Sequence, residues 1–502
     1  MAPDNAALYK AFASHDARFD GVFFVGVTST GIYCRPVCTA RTPKPGNCRF
    51  FETVEAAEKA SFRPCLRCRP ELAPGTAPVD DGHRIANLVA SRIQDGMFDG
   101  AANLEAVAAK FGWSSRQIRR VVQRELGVSP IELILTRRLL LSKQLLTETT
   151  LPITEIALAS GFASLRRFND AFRNRYGMPP TRLRKVANGT SPSPHLVADT
   201  FTLQLAYRPP FDWEGMLGFL RARAFTGIEC VDGESYSRTI RLGGHSGWVR
   251  VRNAPQKNVV LVELTHGLMA VLPALLGRLR NLFDLNARPD MISNQLMADP
   301  GIADIVRQNT GMRVPGCVDG FELAVRAILG QQITVKGATT LAGRYASAFG
   351  EPIETLHDGL SYLTPTAEYV ALMSVEAIAS LGIVKSRAIA ILALAREFGP
   401  GRLALEAGAD PEAVMSRLVA LPGIGKWTAH YMAMRALRWP DAFPKEDLVI
   451  RNRLGGVTAA RAEEMSQQWR PWRSYATLHL WQSSPHKPAG RTRIMRKSRV
   501  SA

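Results

Sequence analysis

The sequence predicts a multidomain, mainly α protein with smaller α+β parts, and three observations carry that prediction. Its 502 residues exceed what one hydrophobic core usually organises. Five of its seven cysteines fall between Cys34 and Cys68, which marks a small module held by something other than apolar burial. Apolar residues recur at helical spacing from about Asp81 to Lys185 and again from Asp290 to Gln482, whereas between Phe201 and Phe283 they alternate with polar ones. The division that follows is a cysteine module at 1–77, a helical bundle with two helix-turn-helix units at 81–185 and a linker at 186–200. Beyond it come a small antiparallel-sheet α+β domain at 201–285, an all-helical domain at 286–484 and a basic disordered tail at 485–502.

Lys and Arg outnumber Asp and Glu by 63 to 44, and the resulting +19 is self-repelling unless the partner is a polyanion. Nucleic acid leads, with an anionic membrane surface second. There is no run of about 18 apolar residues, and Met1-Ala2-Pro3-Asp4-Asn5 lacks the basic and then apolar profile of a secretory signal. A cytoplasmic protein without membrane contact is expected, and clustered cysteines in a reducing compartment suit a metal better than disulfides.

In the first module a strand is expected at Gly21 to Val27 and a short helix near Val54 to Ala60. Cys34-x3-Cys38, then 26 residues, then Cys65-x2-Cys68 places two cysteine pairs where each grips one face of a tetrahedral zinc, one ion per chain. Cys48 is left over as a free thiol. Spacing alone is equally the mark of an inert structural site, because closed four-sulfur zinc sites usually are inert. The local sequence says more. Gly31-Ile32-Tyr33-Cys34-Arg35-Pro36-Val37-Cys38 and Phe62-Arg63-Pro64-Cys65-Leu66-Arg67-Cys68-Arg69-Pro70 closely resemble the methylphosphotriester-repair domain of the Ada family. That resemblance implies that Cys34 is both ligand and single-turnover methyl acceptor, that Cys38, Cys65 and Cys68 hold the metal, and that Thr30, Arg41 and Arg63 meet DNA. Thr39 stands where the best-known family member has an arginine. It also implies a switch, since four thiolates on a dication carry a charge of about −2 and methylation of one leaves about −1, lowering repulsion from phosphate.

In the helical bundle, Leu104-Glu105-Ala106-Val107-Ala108 leads through Phe111-Gly112-Trp113 into Ser114-Ser115-Arg116-Gln117-Ile118-Arg119-Arg120. Ile153-Thr154-Glu155-Ile156-Ala157 leads likewise through Ser160-Gly161-Phe162 into Ser164-Leu165-Arg166-Arg167-Phe168-Asn169, and Arg182, Arg184 and Lys185 follow. One such helix would read as a solvated face; two spaced alike suit successive major-groove segments. Over about 100 residues this resembles the AraC-type transcription-factor domain. The resemblance implies that Arg116, Arg119, Arg166 and Arg167 face promoter DNA, with RNA polymerase as a further partner of a monomeric protein.

Asn188-Gly189-Thr190-Ser191-Pro192-Ser193-Pro194 reads as a flexible connector. After it, short alternating runs such as Trp248-Val249-Arg250-Val251 predict the antiparallel sheet, with a helix near Trp213 to Ala224. In the helical domain Leu421-Pro422-Gly423-Ile424-Gly425-Lys426-Trp427 reads as a helix-hairpin-helix turn, whose glycines Gly423 and Gly425 permit a tight reversal and whose N–H groups, with Lys426, face a phosphate. Twenty residues beyond Trp427 comes Asp447, the arrangement seen in helix-hairpin-helix glycosylases. Pro210-Phe211-Asp212-Trp213, Pro315-Gly316-Cys317-Val318-Asp319, Arg326-Ala327-Ile328-Leu329-Gly330-Gln331 and Trp469-Arg470-Pro471-Trp472 narrow the resemblance to the AlkA 3-methyladenine glycosylase family, from Phe201 to about Trp481.

That resemblance implies a monofunctional N-glycosylase acting on duplex DNA with alkylated bases. Asp447 would be its catalytic carboxylate, as electrostatic stabiliser or as the base orienting water, with neighbouring Glu446 the rival. Phe219, Trp427, Tyr431 and Trp481 would form the base pocket, where ring faces attract a cationic base; ordinary core packing is their bland reading. A monovalent cation at the hairpin turn is also implied. Gln332 stands where the best-known family member wedges a leucine, and Leu448 where that member has a tyrosine. Trp427 occupies the position of the lyase lysine in bifunctional relatives, so strand cleavage is not expected. No Pro-Cys-His-Arg acceptor for O-alkylguanine occurs. The competing reading is a transcription factor whose glycosylase-like half only binds DNA. Lys487, Arg491, Arg493, Arg496, Lys497 and Arg499 leave the tail without an acid.

Overall fold

The computed structural model describes residues 5–74, 93, 114–187, 200–399, 401–407 and 409–482. The lead helix and turn of the first helix-turn-helix unit and the basic tail lie outside the described residues. So does 188–199 of the expected linker, whose two ends are regular structure: Val186 and Ala187 complete a helix, and Thr200 opens a strand.

The cysteine module opens with α1 (Asn5–Ala13) and builds one small mixed sheet from β1 (Phe24–Val27), β2 (Ile32–Cys34), β3 (Cys48–Phe51) and β4 (Arg63–Pro64), with α2 (Val54–Lys59) before the last strand. Their order is β3-β1-β2-β4, antiparallel except for β2 with β4. The first strand starts later than expected because Gly21, at φ +72°, turns the chain. Gly26 has no room for a Cβ, which would lie 2.7 Å from Phe51 and 2.9 Å from Phe62. Its bareness lets those two rings pack over the strand at 5.5 Å between centroids. Phe12, Phe23 and Val25 are buried together with Cys34, Cys38 and Cys65, so sulfur fills what a larger core would supply.

The second unit contains α3 (Ser115–Leu126), α4 (Pro130–Glu148), α5 (Ile153–Ala159), α6 (Leu165–Tyr176) and α7 (Pro180–Ala187). Ser129 and Glu132 form a reciprocal capping box that starts α4, Ser164 accepts from Arg167 N to start α6, and Gly177 at φ +68° ends it. Phe162, Phe168, Phe172 and Tyr176 pack in series, tilted or edge to face, and give this unit its interior.

Next, β5 (Thr200–Ala206), α8 (Trp213–Arg223), β6 (Glu229–Asp232), β7 (Ser235–Leu242), β8 (His245–Ala254) and β9 (Val259–Thr265) form a fully antiparallel sheet of order β5-β9-β8-β7-β6, covered by α8 and α9 (Leu272–Leu282). Leu205, Val262 and Leu276 share one buried cluster with Ile156, Phe168 and Leu183 of the helix-turn-helix unit. The sheet and the helix-turn-helix bundle are thus packed together, which the linker-based reading did not anticipate.

The last part runs through α10 (Pro289–Leu296), α11 (Ala303–Gln308), α12 (Gly320–Leu329), α13 (Val335–Phe349), α14 (Ala367–Ala371), α15 (Val375–Ala379), α16 (Lys385–Phe398), α17 (Pro411–Val419), α18 (Lys426–Arg435), α19 (Leu448–Arg453), α20 (Ala459–Met465) and α21 (Arg473–Gln482). A single core containing Ala324, Ile328, Ile391, Met432, Ile450 and Trp469 unites them. It is not purely helical. Glu351–Pro352 and Tyr362–Leu363 form a two-residue antiparallel ladder, fixed to the sheet by Thr239 Oγ1 donating to Tyr362 O (2.6 Å).

Buried polar groups join these parts. Arg208 is fully buried and donates from Nε to Asp20 O (2.8 Å) and from Nη1 to Asn286 O (2.7 Å). Lys143 on α4, 1% exposed, donates to Cys65 O (3.2 Å) and pairs with Glu71. Glu58 on α2 accepts from Tyr33 Oη (3.0 Å), from Thr136 Oγ1 of α4 (3.2 Å) and from Arg175 of α6.

Candidate active site and zinc centre

Asp447 sits where a loop becomes α19, and its Oδ1 caps that helix by accepting from Ile450 N (2.9 Å). The same carboxylate accepts from two indoles, Trp427 Nε1 to Oδ2 (2.8 Å) and Trp481 Nε1 to Oδ1 (3.3 Å). Three N–H donors hold it in one orientation while it remains 9% exposed. The neighbouring acid differs: Glu446 is exposed. Both line a cavity of about 910 Å³, together with Trp427, Tyr431, Trp481 and Gln332.

Trp427 and Tyr431 are four apart on α18, so both face the cavity from one side of the helix. Their rings are nearly parallel, at 9° and 5.5 Å between centroids, and Trp481 from α21 lies 6.3 Å from Tyr431. Phe219, the fourth expected pocket ring, does not line the cavity. The guanidinium of Arg223, one turn further along α8, lies 3.8 Å over it, and Arg435 lies 5.0 Å from it. Arg223 takes its place on the cavity wall, joined by Arg326.

Sequence reasoning missed these arginines, although each of two stands four residues after an expected pocket aromatic, Arg223 after Phe219 and Arg435 after Tyr431. Arg435 is locked, donating to Pro315 O (2.8 Å), Gly316 O (2.9 Å) and Tyr431 Oη (2.7 Å). Burial alone would raise the Tyr431 phenol, but the guanidiniums of Arg435 and Arg223 bring it below the ordinary value.

Between α17 and α18 lies the hairpin turn. Gly423 has φ +76° and a Cβ there would be 3.0 Å from Ala390 Cβ, so this position needs glycine on both counts. Gly425 does not use the left-handed region; it is the N-cap of α18 at φ −86°, with open space where a side chain would stand. Its bareness leaves the helix N-terminus approachable, beside exposed Lys426. Gln331 Nε2 donates to Gly423 O (2.9 Å) and Thr428 Oγ1 (3.1 Å), which ties the turn to the loop after α12. Gln332, next in that loop, is exposed at φ +53°. Leu448, 64% exposed, stands on the cavity wall with it.

At the other end, the sulfurs of Cys34, Cys38, Cys65 and Cys68 all lie within 4.8 Å of one another. This fits a tetrahedral zinc, whose Zn–S distance of about 2.3 Å places sulfurs about 3.8 Å apart. Hydrogen bonds with the neighbouring sulfurs push the Cys34 thiol far up, and those from Cys34 pull Cys38 down to about 7. Four thiols this close cannot all ionise without a compensating dication. Arg35 N donates to Cys68 Sγ (3.3 Å), and Arg35 itself is buried against Asp20. Cys48 stands apart, its Sγ donating to Lys44 O (3.5 Å). Thr30, Arg41 and Arg63 are exposed, as are Arg116 and Arg119 on α3 and Arg166 and Arg167 on α6.

Three family models match successive stretches: the metal binding domain of Ada over residues 7–71, a helix-turn-helix domain over 107–186, and the AlkA N-terminal domain over 202–319. These findings agree with a zinc-binding, DNA-binding and glycosylase-like chain with no helix, among the described residues, long and apolar enough to cross a membrane. Over 284 residues the chain is 35% identical to DNA-3-methyladenine glycosylase 2 of Escherichia coli, covering 57% of this chain and 98% of that one. It is 33% identical over 181 residues to the bifunctional transcriptional activator/DNA repair enzyme AdaA of Bacillus subtilis, covering 36% of this chain and 82% of that relative. A probable bifunctional transcriptional activator/DNA repair enzyme AlkA of Mycobacterium tuberculosis is 39% identical over 490 residues, 97% of this chain and 98% of the relative. With a match of that extent spanning the cysteine module, the helix-turn-helix bundle and the glycosylase-like half, the chain belongs to the family of bifunctional transcriptional activator/DNA repair enzymes AlkA.

Proposed function

We propose that this protein excises alkylated bases of the 3-methyladenine type from duplex DNA and uses Cys34 to accept a methyl group from methylated phosphates, tuning its binding at promoters. The observation that carries the first activity is the buried Asp447 carboxylate, held by two indole N–H groups on the wall of an aromatic cavity beside the hairpin turn. Exposed Gly425 and Lys426 anchor the strand by phosphate. Trp427, Tyr431 and Trp481 receive the flipped base, and Gln332 with Leu448 meets the duplex at the vacated position. Asp447 then faces the sugar, where positive charge grows as the glycosidic bond lengthens, and water completes the displacement. With Trp427 on the cavity wall where a lyase lysine would stand, and Lys426 turned to phosphate, the reaction ends at the abasic site.

Zinc, when bound, keeps the cysteine sulfurs as thiolates at neutral pH. Arg35 N draws electron density from Cys68 Sγ, while Ala40 and Cys68 supply backbone donors to Cys38 and Cys65. Cys34, the first ligand of the motif and buried among the other three sulfurs, is the nucleophile of this reading. Its sulfur forms a bond to the methyl carbon as the methyl C–O bond breaks, and the phosphodiester leaves as an anion. Thr30, Arg41 and Arg63 hold the phosphates around it. Arg116, Arg119, Arg166 and Arg167 read promoter DNA. A cytoplasmic monomer that contacts RNA polymerase, and a monovalent cation on the hairpin carbonyls, complete the proposal.

Intact-mass measurement after exposure to methylphosphotriester DNA tests the second activity. One methyl mass on the Cys34 peptide, absent in Cys34→Ser and kept in Cys48→Ser, is expected; no gain reduces the module to a structural zinc site.

A further inference from the structure

The cavity contains a feature that a pocket for cationic bases does not require. Arg223 and Arg326 both line it, and Arg435 lies behind Tyr431, so three guanidiniums surround one phenol, whose ring stacks on Trp427, one of the two indoles that hold Asp447. Arg326 is 7% exposed; its Nε donates to Arg223 O (3.1 Å) and its Nη2 to Thr339 Oγ1 (2.7 Å). Its Nη1 is buried without a partner among the described residues. Burial holds this guanidinium down to about 10, still charged at neutral pH. Arg223 stacks on Phe219 with one face, and its own bond to the helix is long, Nη1 to Phe219 O at 3.4 Å. Because Arg223 lines the cavity and Phe219 does not, an incoming base meets a guanidinium plane rather than the fourth aromatic ring.

We propose that Arg223, backed by Arg326, is a specificity-determining residue that sets how this site treats neutral against cationic bases. The inference rests on the glycosylase reading above. When the C1′–N bond breaks, its electron pair goes to the departing base and water oxygen forms the new bond at C1′. A neutral base thereby becomes an anion until it takes the proton that the water releases. A cationic base becomes neutral. In both cases negative charge moves onto the base and positive charge onto the sugar facing Asp447, so a guanidinium beside the base and a carboxylate beside the sugar act on one bond. Their effects on the bound ground state differ. The guanidinium repels a cationic base before reaction but leaves a neutral one unpenalised, and it stabilises the anionic leaving group only a neutral base needs.

The test is single-turnover base release, with binding measured separately, on duplexes carrying one 7-methylguanine as the cationic probe or one hypoxanthine as the neutral probe. Arg223→Ala is expected to slow release of the neutral base about tenfold or more while tightening binding of the cationic-lesion duplex. Arg223→Lys, which keeps the charge, is expected to recover most of both. Equal losses on the two probes with unchanged lesion affinity would make Arg223 a structural prop of Phe219 and overturn the proposal. So would a wild-type protein that releases the cationic base and never the neutral one. Failure of the glycosylase reading itself is distinguishable, because the wild type would then release neither.

Discussion

Replacing Lys143 with Met measures how tightly the cysteine module is built into the DNA-binding bundle. Lys143 is the polar centre of the contact between α4 and that module, 1% exposed and bonded at once to Cys65 O and the Glu71 carboxylate. Removing one partner of a buried ion pair costs about 3–5 kcal/mol, because the remaining charge stays desolvated. Glu71 retains Arg69, whose Nε lies 3.1 Å from its Oε1, so the lower end of that range applies. At about 1.4 kcal/mol per decade, a loss near 3 kcal/mol raises the population of the opened module roughly a hundredfold. Alkylation of the four ligand cysteines in zinc-loaded full-length protein, slow enough for opening to equilibrate, reads that population directly. The expected result is labelling about a hundredfold faster in Lys143→Met, with at least a tenfold recovery in Lys143→Met/Glu71→Gln, where the Glu71 charge is gone and Arg69 keeps Glu148. A change below about threefold in the single variant would refute the claim that this pair holds the module to α4.

Two further outcomes follow from specific groups. Burial is the main cause that pushes the Glu58 carboxyl up to about 7 from an ordinary 4.5, despite Arg175 beside it, with Glu55, Tyr33 and Tyr176 also facing it. Between those values the folded chain keeps a proton that the unfolded chain has lost, so this residue's contribution falls as pH rises from about 4.5 to 7 and levels off above. The wild-type minus Glu58→Gln difference in urea stability should therefore decline across that window; a difference that grows with pH contradicts the assignment. Gly423→Ala combines a φ of +76° with a Cβ contact of 3.0 Å, a strain of about 1–2 kcal/mol. It is expected to weaken DNA binding by the glycosylase half while leaving zinc content unchanged, and unaltered affinity by anisotropy would show that the turn does not meet the strand.

Much of this was legible in residue spacing. The cysteine quartet, the arginine helix capped by Ser164 and the Gly423 turn are local patterns whose geometry follows from a few neighbours. Asp447 and Trp427, twenty residues apart, were paired by motif, and their 2.8 Å bond agrees with that pairing. What escaped depends on long-range packing. Arg223 covers Phe219 because both lie on one face of α8, yet only the approach of α18 with Arg435 defines which side of the ring remains. Lys143 reads as a surface lysine on an amphipathic helix until the cysteine module is laid against it. Arg208 likewise reads as one more positive charge, whereas it is fully buried between Asp20 and Asn286. The short ladder of Glu351–Pro352 with Tyr362–Leu363 has too few residues to show alternation.

Base release from methylated duplex DNA by Asp447→Asn, measured beside duplex affinity, is the most direct test of the central claim. The isosteric amide still accepts a hydrogen bond and caps α19, but it brings no negative charge to the sugar. Release is expected to fall about a hundredfold or more, with affinity nearly unchanged because binding comes mainly from phosphate contacts. Full release by the variant would contradict the account and move the catalytic carboxylate away from Asp447.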